Sequence, residues 1–336
     1  MNILIVTNSN NDIRSSRRRL LNELRRLNIP SELLYFSNNL FSEGLYKNLQ
    51  SLWLFPVNVL KYAVYVLKYK PETVHSFKLL PNILGFLFSP MYSWHAHVYG
   101  LGMFAEVDRS LVKSLLFYCY TWILKRARVV FVQNSTDKLQ LEDRGCICEL
   151  IPGSGIDELG LSSEDNRRFI MVGRPVKSKG FELGIEAFCE LCDSSGESYL
   201  LEIYGVDITE ISSIYFGKRN LTSYNIKFQG EVWSKEEIYL KGGTLLFLST
   251  YAEGFPRAVL EAWSYGIYVI ALRNRGLNDH EVRMSIALTL LPELAGPETV
   301  INCLINLKKF DPAEIQRSAL RYYSYQNVIN QLVSCT

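Results

Sequence analysis

The segment Glu253-Gly-Phe-Pro-Arg-Ala-Val-Leu-Glu261 places two acidic residues on either side of a loop that enters a helix. Pro256 suits the first helical position, because its missing N–H costs nothing there and its fixed φ favours initiation. Glu253 is then expected in the loop facing the helix N-terminus, and Glu261 over a turn further along. A helix N-terminus beside Gly254 is suited to a phosphate group. The two carboxylates are spaced to bind hydroxyl groups on either side of that phosphate, which indicates a nucleotide sugar.

The two acids also have a plainer interpretation. Arg257 precedes Glu261 by four positions, so these residues can form a surface ion pair worth ~0.3 kcal/mol, and Glu253 can be a solvated loop residue. The flanking sequence favours a ligand site, because residues 245–250 and 268–272 are short apolar runs typical of buried parallel strands. The acids therefore follow the carboxyl end of a parallel strand, where open α/β sheets bind ligands.

Composition predicts a globular chain of two domains, since 336 residues are long for one core and 48% of them are hydrophobic. Residues 1–150 carry 18 Lys/Arg and 11 Asp/Glu, a balance of +7, whereas residues 151–336 carry 18 and 23, a balance of −5. This asymmetry indicates different partners for the two halves.

The cysteines and the chain start favour a cytosolic protein. Seven cysteines are an odd number without a disulfide pattern, and Cys189 and Cys192 form a CxxC inside an amphipathic helix without a second pair nearby. Two small buried thiols are expected there rather than a zinc or redox site. The chain opens on a strand pattern rather than a signal peptide, and no apolar run reaches the ~18 residues of a spanning helix.

Apolar runs alternate with helical patterns along the chain, which predicts an α/β protein with βαβ units and two parallel sheets. The Gly/Pro-rich segment 151–155 predicts the join, which gives domains 1–153 and 154–336. The last predicted helix, Pro312–Leu332, has no strand after it, and one expectation is that it packs back on the first domain. The predicted strands are Ile3–Thr7, Glu32–Phe36, Thr73–His75, Ser93–Tyr99, Val129–Gln133, Arg168–Val172, Leu200–Tyr204, Ile226–Gln229, Leu245–Ser249 and Tyr268–Leu272.

Two cations are predicted at the carboxyl edge of the second sheet. Arg174 ends a strand pattern, and Lys179 lies in the loop before the next helix. A nucleoside diphosphate leaving group carries at least two negative charges, which cations must neutralise where no metal does. The sequence contains no Asp-x-Asp motif for a metal, so Arg174 and Lys179 take this role, with Lys177 as a weaker candidate. An ordinary basic loop is the alternative.

Together these motifs resemble the retaining GT-B glycosyltransferases that use a Glu-x7-Glu motif (family 4, group 1). The resemblance implies two Rossmann-like parallel-sheet domains facing across a cleft, with the nucleotide-sugar donor on the second and the acceptor on the first, and with no cofactor or metal. The residues that carry it are Gly173-Arg174, Lys179-Gly180, Glu202–Gly205, Phe228–Gly230, Glu253–Glu261, Ala262-Trp263 and Gly266.

The resemblance also implies roles for the matching residues. Arg174 and Lys179, in the loop that begins at Gly173, would hold the diphosphate, and Glu261 would bind the ribose hydroxyls. Glu253 would bind the hydroxyls of the transferred sugar. Backbone contacts complete the predicted donor site: those near Gly254 and Phe255 with the sugar or distal phosphate, and those near Gly230 with the base.

Three further segments, Val98–Gly102, Val132–Asn134 with Asp137, and Ile151–Asp157, are similar to the branch that elongates lipid-linked oligosaccharides. That branch builds O-antigens, capsules or other bacterial glycans on polyprenyl diphosphate, which implies peripheral contact with the cytoplasmic face of the inner membrane. Basic and aromatic residues of the first half suit an anionic bilayer, although solvated helix faces remain the alternative. They are Arg17–Arg19, Arg25, Arg26, Trp53, Phe55, Lys61, Tyr62, Tyr65, Lys68 and Lys70.

Two positions depart from the family pattern. The first loop, Asn8–Asp12, lacks the usual glycine pair, and Tyr99 stands where many members have a histidine before the residue matching Gly100. His97 lies two positions earlier, on the same strand face. It is a candidate for a catalytic contact with the donor sugar or acceptor, with a partly buried core histidine as the alternative.

The sequence thus predicts a metal-independent, retaining hexosyltransferase that needs no cofactor. It would move a hexose or N-acetylhexosamine from a nucleotide diphosphate, UDP in preference to GDP, to a lipid-linked saccharide, and nucleic acid is not an expected partner. Two alternatives stay open. One is a nucleotide-sugar epimerase of the same fold, and the other is a non-catalytic partner protein that keeps the fold.

Overall fold

The structure, a computed structural model, describes residues 2–7, 16–36, 55–105, 111–217, 219–232, 234–307 and 309–335. Their contacts divide the chain into two compact units. The first contains the described residues up to Gly155, together with Glu253–Phe255 and those from Tyr325 onward. The second contains Ile156–Ala252 and Pro256–Ser324. Asn8–Asp12 and Trp53 lie outside the described residues.

The first unit is a six-stranded parallel sheet with the strand order β2-β1-β3-β4-β5-β6. Its strands are Ile3–Thr7 (β1), Ser31–Tyr35 (β2), Thr73–Phe77 (β3), Ser93–Val98 (β4), Val129–Val132 (β5) and Cys148–Leu150 (β6). Its helices are Ser16–Arg26 (α1), Phe55–Tyr69 (α2), Leu79–Phe88 (α3), Leu111–Leu124 (α4), Ser135–Glu142 (α5) and, from the chain end, Tyr325–Ser334 (α12).

Strand β1 is buried on both faces, so it separates two cores. Ile3 and Ile5 pack on one side with residues of α1 and α12. Leu4 and Val6 pack on the other side with residues of α2 and α3. Since successive strand side chains point to opposite faces, a continuous apolar run is what a doubly covered parallel strand needs.

The second unit is also a six-stranded parallel sheet, with the order β12-β11-β10-β7-β8-β9. Its strands are Arg168–Val172 (β7), Leu200–Tyr204 (β8), Ile226–Phe228 (β9), Thr244–Phe247 (β10), Tyr268–Leu272 (β11) and Leu288–Leu291 (β12). Its helices are Phe181–Ser195 (α6), Ile211–Ile214 (α7), Lys235–Tyr239 (α8), Arg257–Ser264 (α9), Pro297–Ile305 (α10) and Pro312–Tyr323 (α11).

All ten predicted strands are present, with ends shifted by two residues or fewer. The predicted set lacked β6 and β12. Strand β6 has three residues, of which only Cys148 is buried, so it carries too short an apolar pattern to recognise. Helix α3 contains Pro81 near its start. Pro81 lies in the first helical turn, where a missing N–H does no harm.

The prediction of one last helix over Pro312–Leu332 was wrong, since the structure has two helices, α11 and α12, there. Ser324 separates them in an extended conformation (φ −60°, ψ 152°) and forms an isolated bridge with Ile156. At Gly155, where φ is 82°, a Cβ would lie 2.4 Å from Cδ1 of Tyr325. The chain passes from one unit to the other at residues 155–156 and 324–325, and these two segments are in contact. A glycine at position 155 leaves room for the Tyr325 ring.

Candidate functional site

Three glycines form the carboxyl edge of β7, β8 and β9 in the second unit. The Gly173 amide donates to the Tyr204 carbonyl at 3.0 Å, and the Gly205 amide donates to the Gly230 carbonyl at 2.6 Å. Gly205 has a φ of 82°, and a Cβ there would lie 2.3 Å from the Gly173 oxygen. Only glycine fits at this position. The result is a bare stretch of backbone at the end of the sheet where ligands bind in such folds.

The predicted cations lie beside these glycines. Arg174 is exposed and directly follows Gly173. Lys179 is half-buried, and its Cγ would be 3.3 Å from a Cβ at Gly173. Its ammonium lies 5.7 Å from the centre of the Phe247 ring. The structure therefore brings Arg174 and Lys179 together with Gly173, as an exposed and a half-buried cation at one edge.

The Lys179 loop is fixed to the end of β10 by main-chain contacts. The Ser178 carbonyl accepts a hydrogen bond from the Thr250 amide at 2.9 Å and another from the Ser249 hydroxyl at 3.2 Å. Gly180 follows with a φ of 70°, and a Cβ there would lie 2.1 Å from the Leu248 oxygen. A loop tied down in this way keeps Lys179 in position before any ligand binds.

Glu261 is held between two cations. Its Oε1 lies 2.8 Å from Nε of Arg257 and its Oε2 lies 2.9 Å from Nζ of Lys235, with its side chain 13% exposed. The i, i+4 pair with Arg257 considered as the plainer interpretation does form. Its carboxylate is largely buried and also pairs with Lys235, which the sequence did not single out. A carboxylate has about four lone-pair directions, so both oxygens retain capacity for hydroxyl groups. Pro256 is the N-cap of α9 rather than its first residue, which corrects the predicted start by one position.

Residues 253–255 group with the first unit rather than the second. The Phe255 amide, predicted near the sugar or distal phosphate, donates to Oε1 of Gln133 at 3.1 Å in this structure. Nδ2 of Asn134 donates to the Gly254 carbonyl at 3.0 Å. Gly254 is buried, and a Cβ there would lie 2.7 Å from the Gly100 amide nitrogen. The backbone of this segment is therefore fixed, and Glu253, which is half-buried, extends from a rigid support.

The support for this segment is itself fully hydrogen-bonded. Asn134 caps α5 by accepting from the Asp137 amide at 2.7 Å, and its Nδ2 also donates to Oδ2 of Asp137 at 3.0 Å. The same Asp137 oxygen accepts from the Leu101 amide at 3.2 Å. The sequence had linked Asn134 and Asp137 only to the family branch. The structure shows that they join the ends of β4 and β5 below residues 253–255.

His97, the weak catalytic candidate, lies in the core of the first unit. It is 0% exposed, its Nε2 is 3.0 Å from Nδ1 of His75, and its ring stacks on Phe77 at 3.9 Å between centroids. The alternative of a core histidine therefore describes it, and we withdraw His97 as a substrate contact. Burial is the main cause that lowers the pKa values of His75 and His97 well below 6.5, and it lowers that of His95 to about 4. All three imidazoles are neutral at pH 7.

The second unit contains a buried ion pair on the strands that lead to the glycine edge. Nε of Arg168 donates to Oε2 of Glu202 at 2.6 Å, and the two side chains are 2% and 4% exposed. Nε2 of Gln229 donates to the other Glu202 oxygen at 2.9 Å. Burial alone would raise the pKa of Glu202, but the hydrogen bond and charge of Arg168 outweigh it, and the pKa is lowered. The carboxylate stays ionised and fixes β7, β8 and the segment after β9 together.

Neither a metal cluster nor a membrane span is found in the parts of the chain that the structure describes. No three His, Cys, Asp or Glu side chains there are grouped to hold a metal ion. No helix among those residues combines the length and the apolar character needed to cross a bilayer. All seven cysteines are free thiols, and Cys189 of the CxxC is buried on α6.

The family comparison covers most of the second unit. Residues 157–286 match the family model described as "Glycosyl transferases group 1". This segment of the chain is therefore similar to group 1 glycosyltransferases. The matched range includes the glycine edge, both predicted cations and the segment from Glu253 to Glu261. No curated protein matches the sequence.

Solved structures resemble the whole chain in fold, at low sequence identity. Sucrose-phosphate synthase from Thermosynechococcus elongatus has a TM-score of 0.72 at 15% identity over 99% of this chain and 98% of its own. The lipopolysaccharide outer core galactosyltransferase WaaB has a TM-score of 0.70 at 16% identity over 100% of both chains. Anabaena HepE, solved with UDP and glucose, has a TM-score of 0.68 at 13% identity over 99% of both chains. These likenesses show that the chain has the GT-B fold, in two Rossmann-like α/β units.

Proposed function

We propose that this chain is a retaining, metal-independent glycosyltransferase. It moves a hexose or N-acetylhexosamine from a nucleotide diphosphate sugar to a lipid-linked saccharide in surface polysaccharide synthesis. The observation that carries the proposal is the glycine edge of β7–β9, over which the stem of Lys179 lies and from which Arg174 emerges. This edge lies inside the domain that matches group 1 glycosyltransferases.

The diphosphate binds at the glycine edge in this proposal. Bare backbone lets phosphate oxygens approach closely, and the cations stabilise the negative charge that develops as the glycosidic bond breaks. Lys179 is anchored at Phe247, so little ordering entropy is lost when it binds. Arg174 is exposed and can form a two-pronged contact with phosphate as the leaving group departs.

The two acids of the Glu-x7-Glu motif bind hydroxyl groups in this proposal. Glu261 accepts from the ribose hydroxyls, because Arg257 and Lys235 orient its carboxylate. Glu253 binds the hydroxyls of the transferred sugar from its fixed segment. We assign no covalent nucleophile. The acceptor therefore attacks from the face that the diphosphate leaves, and the leaving phosphate takes the acceptor proton.

The proposal also names the base of the donor nucleotide and the class of the acceptor. Structures of the neighbour HepE with UDP and with UDP-glucose favour UDP over GDP. The acceptor is a saccharide on polyprenyl diphosphate, which places the enzyme peripherally on the cytoplasmic face of the inner membrane. No cofactor takes part, and nucleic acid is not a partner.

Nucleotide binding followed by a transfer assay tests the proposal. UDP should raise the thermal midpoint, since a ligand that binds only the folded state stabilises it. Glu261→Ala should mainly weaken this shift, whereas Arg174→Ala should mainly lower turnover. Arg167→Ala is the matched control, because Arg167 is an exposed arginine just before β7, at the opposite end of the strand.

The outcomes separate the alternatives. Acceptor-dependent release of UDP, with an α-linkage retained in the product, supports the proposal. A changed nucleotide sugar formed from donor alone indicates an epimerase. Absence of a thermal shift with every nucleoside diphosphate would indicate a non-catalytic partner protein, and normal turnover in both site variants would remove the site assignment.

A further inference from the structure

Three neighbouring helices of the first unit, α2, α3 and α4, present one continuous outer surface. The Tyr62 hydroxyl of α2 lies 2.6 Å from the Tyr92 hydroxyl, which also donates to the Gly85 carbonyl of α3. Nδ2 of Asn82 in α3 donates to the Tyr120 hydroxyl of α4 at 2.8 Å. These bonds join the helices along their inner sides, so their outer sides lie next to each other.

Helix α2 exposes an aliphatic stripe. Val57, Leu60, Val64 and Leu67 are 57%, 66%, 57% and 60% exposed. They recur at intervals of three and four residues, so they occupy one side of the helix, opposite the buried residues Asn58, Tyr62 and Val66.

Helix α4 exposes an even more apolar side. Leu111, Leu115, Tyr118 and Trp122 are 90%, 63%, 62% and 52% exposed and again fall on one helix face. Val112 and Leu116, next to them, are exposed as well. Between α2 and α4, Leu87 and Met91 are about half exposed. A monomer in water rarely presents such a contiguous apolar patch without a partner.

The charges around this patch have one sign. Residues 55–105 and 111–136 contain eight Lys/Arg and a single acidic residue, Glu72. Lys61 and Lys68 are exposed within the α2 stripe, and Lys125 and Arg126 directly follow α4. An isologous contact with a second copy would bring these positive charges together, whereas an anionic lipid surface complements them.

We infer that the outer side of α2, α3 and α4, here the α2–α4 face, docks on an anionic lipid bilayer. The aliphatic side chains enter the boundary between headgroups and acyl chains, Tyr118 and Trp122 lie at the polar interface as such rings prefer, and the lysines contact lipid phosphates. The role of this docking, which is to bring the acceptor site to a lipid-linked substrate, rests on the proposed function. The docking itself needs no turnover.

Vesicle binding of the full chain tests the inference. The protein should sediment with vesicles of phosphatidylcholine and phosphatidylglycerol, bind pure phosphatidylcholine weakly, and dissociate from the anionic vesicles at high salt. Leu60→Glu and Leu115→Glu should each lower binding by about tenfold. Leu294→Glu is the matched control, because Leu294 is 96% exposed in the second unit, and it should bind like the unchanged chain.

Fluorescence adds a readout specific to the face. Lipids brominated along the acyl chain should quench tryptophan emission, and Trp122→Phe should remove that quenching while leaving thermal stability unchanged. Equal vesicle binding by Leu60→Glu, Leu115→Glu and Leu294→Glu would overturn the inference. So would a dimer in solution that Leu115→Glu dissociates, since the face would then bind a second copy. Either result would leave the nucleotide-binding test of the proposed function intact.

Discussion

Helices α4 and α6 both cover a six-stranded parallel sheet, yet they expose opposite chemistry. The exposed outer side of α4 carries Leu115 and Trp122. The outer positions of α6 are acidic, and two of its acids, Glu186 and Asp193, form ion pairs with Arg219. The same layered framework therefore supports an apolar, basic surface in one unit and a hydrated, acidic one in the other. Sheet topology determines where the helices lie, and their outer residues determine what each unit can contact.

The interiors differ as well. The first unit buries three neutral imidazoles, His75, His95 and His97, in one aromatic stack. The second buries an ion pair, Arg168–Glu202, and one histidine, His280. Each arrangement makes stability depend on the charge state of its buried groups. Changes to these buried groups, and to the residues at the carboxyl ends of the strands, test whether the stability and activity of the two units respond differently.

Acidification should affect the first unit most. A histidine whose folded pKa is lowered binds fewer protons when folded, so its stabilising contribution is full above the unfolded pKa of about 6.5 and falls as the pH drops toward the folded value. For His95 that window runs from pH 6.5 to about 4. His95 should cost about 2 kcal/mol by pH 5, and His75 and His97, whose pKa values are also lowered, should add to this loss.

The second unit should respond less over the same range. His280, whose pKa burial lowers to about 4, is its only histidine in this class, and Glu202, with a lowered pKa, loses its contribution only below the unfolded value of about 4.3. Hydrogen exchange at pH 7 and pH 5, corrected for intrinsic rates, should show β3 and β4 losing protection before β10 and β11. Parallel loss in both sheets would contradict the comparison.

Arg168→Met should destabilise the second unit by about 3–5 kcal/mol, because it leaves the Glu202 carboxylate buried without its cation. Arg167→Met is the matched control. Arg167 is the preceding residue, and its pair with Glu197 is exposed, with side chains 65% and 51% accessible, so its loss should cost about 0–1 kcal/mol. Urea unfolding of both variants provides the measurement, and similar midpoints would show that the buried pair contributes little.

Gly205→Ala should cost about 2–3 kcal/mol and lower UDP affinity, because its Cβ would lie 2.3 Å from the Gly173 oxygen. Gly196→Ala separates backbone strain from this clash. Gly196 also has a positive φ, 65°, but nothing lies within 4 Å of its Cβ position, so only about 1 kcal/mol is expected. Denaturation and UDP titration of the pair measure both effects. Unchanged UDP affinity in a folded Gly205→Ala protein would argue against a phosphate site at this edge.

Gln133→Ala should have the smallest effect on stability, about 1 kcal/mol. Loss of the Phe255 amide contact should free the segment that carries Glu253 and lower turnover by about tenfold, with UDP affinity unchanged. Gln326→Ala, at an exposed glutamine of the same unit, is the control. Steady-state kinetics and UDP titration distinguish the two effects, and a matching loss of UDP affinity would show that residues 253–255 hold the nucleotide instead.

Local patterns predicted the sheets because most buried parallel strands are continuous apolar runs, and ten of the twelve strands in the described residues were predicted. The break at Ser324 escaped prediction because the amphipathic pattern continues through it. Gly173, Arg174 and Lys179 were predictable from their positions at strand ends. Lys235 and Gln133 were not, since long-range pairing leaves no spacing signal. For His97, strand periodicity indicated the face but not the depth of burial.

The contribution of α12 to the first unit has a consequence for synthesis. Val328, Ile329 and Leu332 of α12 belong to the same core as Ile3 and Ile5 of β1, so β1 can be fully covered only after α12 has been synthesised. The second unit contains no residue beyond Ser324 and can close earlier. Domains usually fold in the order of their synthesis, starting at the amino end. Here the first unit is completed after the second, because it needs residues that follow Ser324. A chain truncated before Tyr325 would therefore contain all residues of the second unit, attached to a first unit whose apolar core lacks one of its helices.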